Sequence, residues 1–316
     1  MSLPPLRYLS DADVAAVMPD VATTIDLAAQ ALVMRAAGRA QVPPKPTVRM
    51  SADAFANAMP VAVPDAGLLG CKWIALRPDN PARGLPSAQG VMIVCDAETG
   101  TPLCLMSAAE LTAVRTAAVS GACLRALADP ARPVAYLGTG VQARSHLRGL
   151  DALGVREVRV YGRRAEALAE VEGWAAEQVP ALDLRTTDDR AQAVHGAGAV
   201  ISGLAIGLQG EDLAPDQVAD DALLLPLDYA SVVGAPLART ALVASDDPAQ
   251  MEALRESKLG ADYPSPTVAT GTLLGQGRPA GRVVCQNLGN AASDITLAAV
   301  LAAEAERRDV GVRLPR

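Results

Sequence analysis

The sequence predicts an α/β chain, with a doubly wound parallel sheet in its second half and an α+β section ahead of it. Three observations carry this. A short apolar run, Val134 to Leu137, delivers into a glycine-rich turn and then a helical pattern. From there strand-like and helix-like stretches alternate, the rhythm of parallel strands joined by crossover helices. Before it stand helical patterns, a proline-rich extended stretch and short strand-like runs, the texture of an antiparallel sheet.

At 316 residues the chain is long for one hydrophobic core, so two domains are expected. Half of the residues are hydrophobic and only 3% are aromatic, which means a globular core built from Ala, Val and Leu. The net charge of -7, with no basic run longer than the pairs Arg163–Arg164 and Arg307–Arg308, argues against a nucleic-acid partner. The N-terminal segment lacks the basic flank and apolar run of a signal peptide. The most apolar stretch, 197–208, is broken by glycines and falls short of the roughly 20 residues of a membrane helix, so it reads as a buried strand. A cytoplasmic protein with no membrane partner is expected. Cys71, Cys95, Cys104, Cys123 and Cys285 show no CxxC spacing and read as free thiols, and His146 and His195 are too few for a histidine metal site.

In chain order, Ser10 to Asp13 has the capping-box form and opens a short helix through Val14 and Val17. A second helix is expected over 21–39, with Ile25, Leu27, Ala28, Leu32 and Met34 on its apolar face. Prolines extend the chain at 43–46, and strands follow at 71–76 and 90–95. Asp96 to Pro102 supplies a turn from which 103–106 returns as a hairpin. A long helix over 108–128, rich in small residues, ends at Asp129-Pro130-Ala131-Arg132-Pro133. That turn is the expected boundary between a domain of residues 1–130 with 293–316 and a second of 131–292. Strands at 134–137, 158–161, 182–186, 199–203, 222–227 and 241–244 then alternate with helices at 141–153 and 164–178. The closing helix, 293–308, has an Ala-rich face that needs a partner in the first domain.

The turn after Leu137 reads Gly138-Thr139-Gly140-Val141-Gln142-Ala143, the G-x-G-x-x-G/A pattern. Gly138 allows the tight turn, Gly140 the approach of a pyrophosphate, and Ala143 close helix–strand packing. The helix's unpaired N–H groups and positive dipole end meet the anion. In its strand–turn–helix context this is a Rossmann-type dinucleotide site, with Thr139, Val141 and Gln142 beside the ligand. The second strand ends in Gly162-Arg163-Arg164, without the carboxylate that holds the ribose of NAD. Two guanidiniums suit a 2′-phosphate, so NADP(H) is favoured over NAD(H).

Four groups of residues together carry a resemblance: Gly70-Cys71-Lys72-Trp73; Arg77-Pro78-Asp79-Asn80-Pro81 with Gly84-Leu85-Pro86; Leu111-Thr112-Ala113-Val114-Arg115-Thr116-Ala117-Ala118; and the glycine turn at 138–143. In order and content they resemble the ornithine cyclodeaminase / mu-crystallin family, with the first group similar to its archaeal alanine dehydrogenase branch. The resemblance runs from Pro43-Pro44-Lys45 to Asn287-Leu288-Gly289 and Asp294. It implies a homodimer, a Rossmann domain, a substrate and dimerisation domain built from both chain ends, and hydride transfer at the amine or imine carbon of an amino acid.

By that resemblance Lys72 is catalytic, Arg115 binds the substrate carboxylate, and Thr116, Leu288 and Gly289 border the cofactor. An ammonium between Cys71 and Trp73-Ile74 is expected to have its pKa lowered by desolvation, which suits proton transfer. Two departures stand out. Asn57 precedes Ala58-Met59-Pro60 where the alanine dehydrogenase branch has arginine, and Lys45 or Arg49 are candidates to replace that contact. Ser231 stands where relatives carry an acidic residue, leaving Asp228, at the C-terminal end of a strand, as the candidate acid/base. His146 reads as structural; Cys71 and Cys285 are candidates for lining the site. Two further readings stay open: ammonia-eliminating cyclisation with recycled NAD(P), and a nucleotide-bound binding protein without chemistry.

Overall fold

The computed structural model describes residues 3–51 and 53–316. Met1 and Ser2 of the N-terminal segment read above lie outside them. The chain opens with β1 (Leu6–Leu9), α1 (Asp11–Ala16) and α2 (Val21–Ala36), then β2 (Thr47–Arg49), β3 (Phe55–Val63), β4 (Leu68–Leu76), β5 (Ala88–Asp96) and β6 (Pro102–Ser107). Helix α3 (Ala109–Leu127) leads to β7 (Val134–Leu137), α4 (Val141–Ala152), β8 (Glu157–Tyr161), α5 (Ala165–Gln178), β9 (Asp183–Thr187), α6 (Arg190–Val194), β10 (Ala199–Ser202) and β11 (Leu223–Pro226). Then come α7 (Ala235–Ala238), β12 (Ala241–Ser245), α8 (Pro248–Leu254), β13 (Val268–Ala269), α9 (Thr270–Gln276), β14 (Arg282–Gln286), α10 (Ala291–Arg308) and β15 (Val312–Leu314).

The chain divides into two compact units, one of residues up to Arg115 together with Asn290–Arg316, the other Thr116–Gly289. The division falls within α3 rather than at the turn over 129–133, because Cys123, Leu124 and Leu127 of that helix belong to a core of the second unit.

In the first unit the strand order is β15-β1-β6-β5-β4-β3-β2. The sheet is mixed rather than wholly antiparallel, since β1 and β6 pair in parallel. Hairpin connections impose antiparallel pairing only on consecutive strands, and β1 joins β6 from far off in sequence. The registers place Met59, Lys72, Met92, Met106 and Leu9 in one row across β3, β4, β5, β6 and β1. The four apolar members are buried together with Ile295 and Leu301 of α10. One lysine therefore sits in a line of methionines.

The second unit is the doubly wound sheet that the alternation predicts, Rossmann-type, in the order β13-β12-β14-β11-β10-β7-β8-β9 with every pair parallel. Its two faces bury separate cores, one with Leu147, Val160 and Leu225, the other with Leu137, Val200 and Leu224. The apolar stretch at 197–208 supplies only the short β10 before turning into a loop. From β7 the chain steps outward through β8 and β9, then restarts on the other side at β10, so the crevice between β7 and β10 is a topological switch point.

Candidate active site

Each strand at the switch point is followed by a glycine, Gly138 after β7 and Gly203 after β10, and the two approach closely. Gly138 adopts φ +134°, and a Cβ there would lie 2.7 Å from the Gly203 carbonyl oxygen, so a side chain is excluded on both counts. Gly140 caps α4 with extended backbone, and nothing stands within 4 Å of where its Cβ would be. Space is thus open at Gly140, in front of the first turn of α4, where the Ala143 N–H donates to the Gly140 carbonyl at 3.0 Å and the N–H groups ahead of it have no helical partner. Ala143 is fully buried under that turn, Val141 is 70% exposed beside it, and the Gln142 Oε1 is buried without a hydrogen-bond partner. Thr139 stands half-buried between the glycines. The arrangement fits a pyrophosphate.

At the end of β8, Arg163 and Arg164 are exposed, and Arg164 caps α5 in extended conformation. No carboxylate pairs with either among the described residues. Thr116 is buried at the start of the unit. Leu288 and Gly289 form a turn, φ +89° at Gly289, held by Asp246, whose oxygens accept from the Leu288 N–H at 3.1 Å and the Gly289 N–H at 2.9 Å. Asp246 had no local sequence signal, because its partners lie one strand away.

In the first unit three charged side chains converge. Lys72 Nζ donates to Asp294 Oδ1 at 2.6 Å, and Arg115 Nε lies 2.8 Å from the same oxygen. Lys72 and Asp294 are fully buried, and Arg115 is nearly so. Asp294 reaches the pair from the first turn of α10, which the Asn290 side chain caps by accepting from the Ala292 N–H at 2.8 Å. Gly70 of β4 lies beneath α10, where a Cβ would fall 2.4 Å from the Ile93 carbonyl oxygen and 2.7 Å from Ile295 Cδ1. Arg115 Nε and Nη1 and Asp294 Oδ2 are buried without hydrogen-bond partners, so Arg115 meets Asp294 as an ion pair and not through an aligned hydrogen bond. Burial, then the Arg115 cation, push the Lys72 ammonium down to about 7 against the pull of Asp294. Burial alone would raise the Asp294 carboxyl, but the charges of Arg115 and Lys72 hold it below the usual carboxylate range. Lys45 is buried near enough for its charge to act on both.

The remaining candidates separate. Asn57 is buried and its Oδ1 accepts from Thr47 Oγ1 at 2.7 Å, while Arg49 stands exposed at the end of β2. Asp228 is buried at the end of β11, where its oxygens accept from Ser202 Oγ at 2.9 Å and the Leu204 N–H at 3.1 Å. Burial pushes its carboxyl up to about 7 despite those bonds. Ser231 Oγ accepts from the Gly207 N–H at 3.0 Å, so both residues tie down the loop after β10. Strand alternation turns Cys71 to the face opposite Lys72, which removes it from that cluster. Cys285 is buried in the second unit. His146 bridges the Gln142 carbonyl at 2.8 Å and Ser120 Oγ at 3.0 Å, and burial pushes its imidazole down to about 4, a structural role.

Among known proteins, the nodulation efficiency protein NfeD of Rhizobium meliloti is 28% identical over 97% of this chain and 98% of its own. Delta(1)-pyrroline-2-carboxylate reductase 1 of Burkholderia multivorans is 32% identical over 56% of each chain. An archaeal alanine dehydrogenase, solved as a dimer with bound NAD, superposes with a TM-score of 0.85 at 21% identity over 99% of both chains, a likeness of fold. The sequence profile of the ornithine cyclodeaminase/mu-crystallin family matches residues 9–206, and the chain belongs to that family.

Proposed function

We propose that this chain is a nicotinamide-dependent oxidoreductase acting at the C=N or CH–NH carbon of an imino or amino acid, with NADP(H) favoured over NAD(H). The observation that carries the reading is the buried Lys72–Asp294–Arg115 cluster. Removing charges from water costs several kcal/mol per ion, and apolar side chains of similar volume would stabilise a methionine-lined sheet at least as well. Such a cluster is accounted for by chemistry. Arg115 has the fork geometry for a substrate carboxylate, and its Nη1 still lacks an acceptor. Lys72 is a cation whose proton is held loosely near neutral pH, suited to general acid work at the substrate nitrogen.

Gly138, Thr139, Gly140, Val141 and Gln142 would hold the dinucleotide phosphates, and Arg163 with Arg164 the 2′-phosphate. A bound reduced nicotinamide supplies hydride to the substrate carbon. The protein's own part is to orient the carboxylate, deliver the proton and shape the pocket. The family relationship supports this reading, and the B. multivorans relative is named for reduction of a cyclic imino acid.

The test is a panel of cyclic α-imino acids and of 2-oxo acids with amines, followed by nicotinamide absorbance. NADPH consumption with at least one member is expected, and Lys72→Ala should lower it by about 100-fold or more. No consumption across the panel, or an unaffected Lys72→Ala, would refute it. Flat absorbance with ammonia release from a diamino acid would mean cyclodeaminase turnover instead.

A homodimer is part of the same proposal. It is supported by the apolar outer face of the first unit's sheet, where Trp73 and Val91 stand opposite each other, 45% and 40% exposed.

A further inference from the structure

We propose that Asp294 is the positioning residue of the proton donor: through one oxygen it holds Lys72 and Arg115 together, and this pairing serves in place of a strand-end carboxylate in the second unit. The proposal deepens the function above and rests on it only for the proton's destination, the imine nitrogen.

Geometry comes first. One carboxylate oxygen, from the first turn of α10, meets Nζ from β4 at 2.6 Å and Nε from α3 at 2.8 Å. Three elements distant in sequence thus meet at a single atom. The alternative acid is committed elsewhere, since Asp228 accepts from Ser202 and Leu204, and position 231 is serine. The choice of cation points the same way. Only three of the chain's 28 basic residues are lysines, Lys45, Lys72 and Lys258; Lys72 is in this cluster and Lys45 is buried near enough for its charge to act on it. Arginine serves as the cation almost everywhere else, yet arginine cannot release its proton, whereas a buried lysine can.

In the step, an Nζ–H bond of Lys72 breaks as an N–H bond forms on the imine nitrogen. A bound reduced nicotinamide would supply the hydride to the carbon and be oxidised in turn, which would complete the change from C=N to CH–NH. Lys72 is left neutral and takes a proton back from solvent, while Asp294 keeps its charge throughout. The charged groups acting on Lys72 are Asp294, Arg115 and Lys45. Asp294 raises its proton affinity, and the two cations lower it. Burial with these neighbours leaves the ammonium at about 7.

With so few lysines, the intact protein labelled with 13Cε-lysine presents three side-chain signals, assignable by single Lys→Arg variants. Lys72 should titrate near neutrality in the wild type. In Asp294→Asn, which keeps the shape and removes the charge, the midpoint should fall by about one pH unit or more. In Arg115→Gln, which removes the neighbouring cation, it should rise, and this variant carries the test if Asp294→Asn does not fold. With any imine the wild type reduces, Asp294→Asn should lower kcat/KM about 100-fold and displace the pH profile in the same direction as the NMR midpoint, and Asp294→Glu should recover part of both. A wild-type Lys72 midpoint in the ordinary lysine range, or one unmoved in both variants, would overturn the proposal. The titration needs no substrate, so an enzyme that reduced no imine would defeat the functional reading and leave this result standing.

Discussion

Arg163 and Arg164 are the residues whose chemistry is most exposed to a direct test. They stand at the end of β8, exposed, with no carboxylate partner among the described residues, where an NAD site places an acid. A charge-assisted hydrogen bond to phosphate contributes about 1.5–3 kcal/mol. Arg163→Ala with Arg164→Ala should therefore raise the NADPH Michaelis constant by about 10–100-fold and leave the NADH one nearly unchanged. Equal effects on both, measured by initial rates at constant ionic strength, would remove the 2′-phosphate role. Lys72 shows the other way in which a residue's surroundings make its chemistry. Alternation points it to the inner face, register sets it between Met59 and Met92, and the loss of water, not a special partner, is the largest influence on its proton.

At the scale of elements, Gly70 sets how closely β4 passes β5 beneath α10, the helix that carries Asp294. A Cβ there would lie 2.4 Å from the Ile93 carbonyl oxygen of the adjoining strand as well as 2.7 Å from Ile295 Cδ1, and a backbone atom cannot rotate away. Gly70→Ala should cost about 2–4 kcal/mol of stability, read from urea unfolding, and should lower kcat/KM while NADPH affinity stays within about twofold. Unchanged stability and activity would mean that α10 does not depend on this approach. The same elements show what was legible in the sequence. Strands β7 and β8 were readable because burial on both faces makes them nearly continuous apolar runs, punctuated by glycine. Strand β3 was blurred by Pro60, which sits beyond the reach of the short β2, where a missing N–H is tolerated. Strand β14 begins and ends in polar residues, Arg282 and Gln286, that only tertiary partners satisfy, and it was missed. Of the charged cluster, Lys72 and Arg115 stood out only through the family resemblance. Asp294 was passed over as a functional group, because an acid in a helix's first turn is ordinary and its two partners are known only from the fold.

For the whole molecule, the first unit's sheet raises the question of what covers its second face. Registers align Pro60, Cys71, Ile93, Leu105, Tyr8 and Val312 in one row across six strands, on the side opposite Lys72. Beside it run Ala58, Trp73 and Val91. An antiparallel or mixed sheet facing water ordinarily alternates apolar with polar side chains, but here both faces are apolar, and Trp73, Val91, Tyr8 and Val312 remain 36–56% exposed. A contiguous patch of this kind on a chain of net charge -7 calls for a partner that is itself apolar at the contact, and a second copy meets that condition by two-fold symmetry. The protein should sediment at twice the 32.4 kDa of one chain at micromolar concentration. Trp73→Glu with Val91→Glu sets two like charges opposite each other and gives up the half-buried apolar surface of both side chains, so folding should cost about 1–3 kcal/mol, while burying those charges in a dimer would cost several more. The double variant should therefore be a folded monomer by sedimentation equilibrium, with a far-ultraviolet spectrum matching the wild type. A monomeric wild type, or a variant that still dimerises, would show that this face is not where the copies meet.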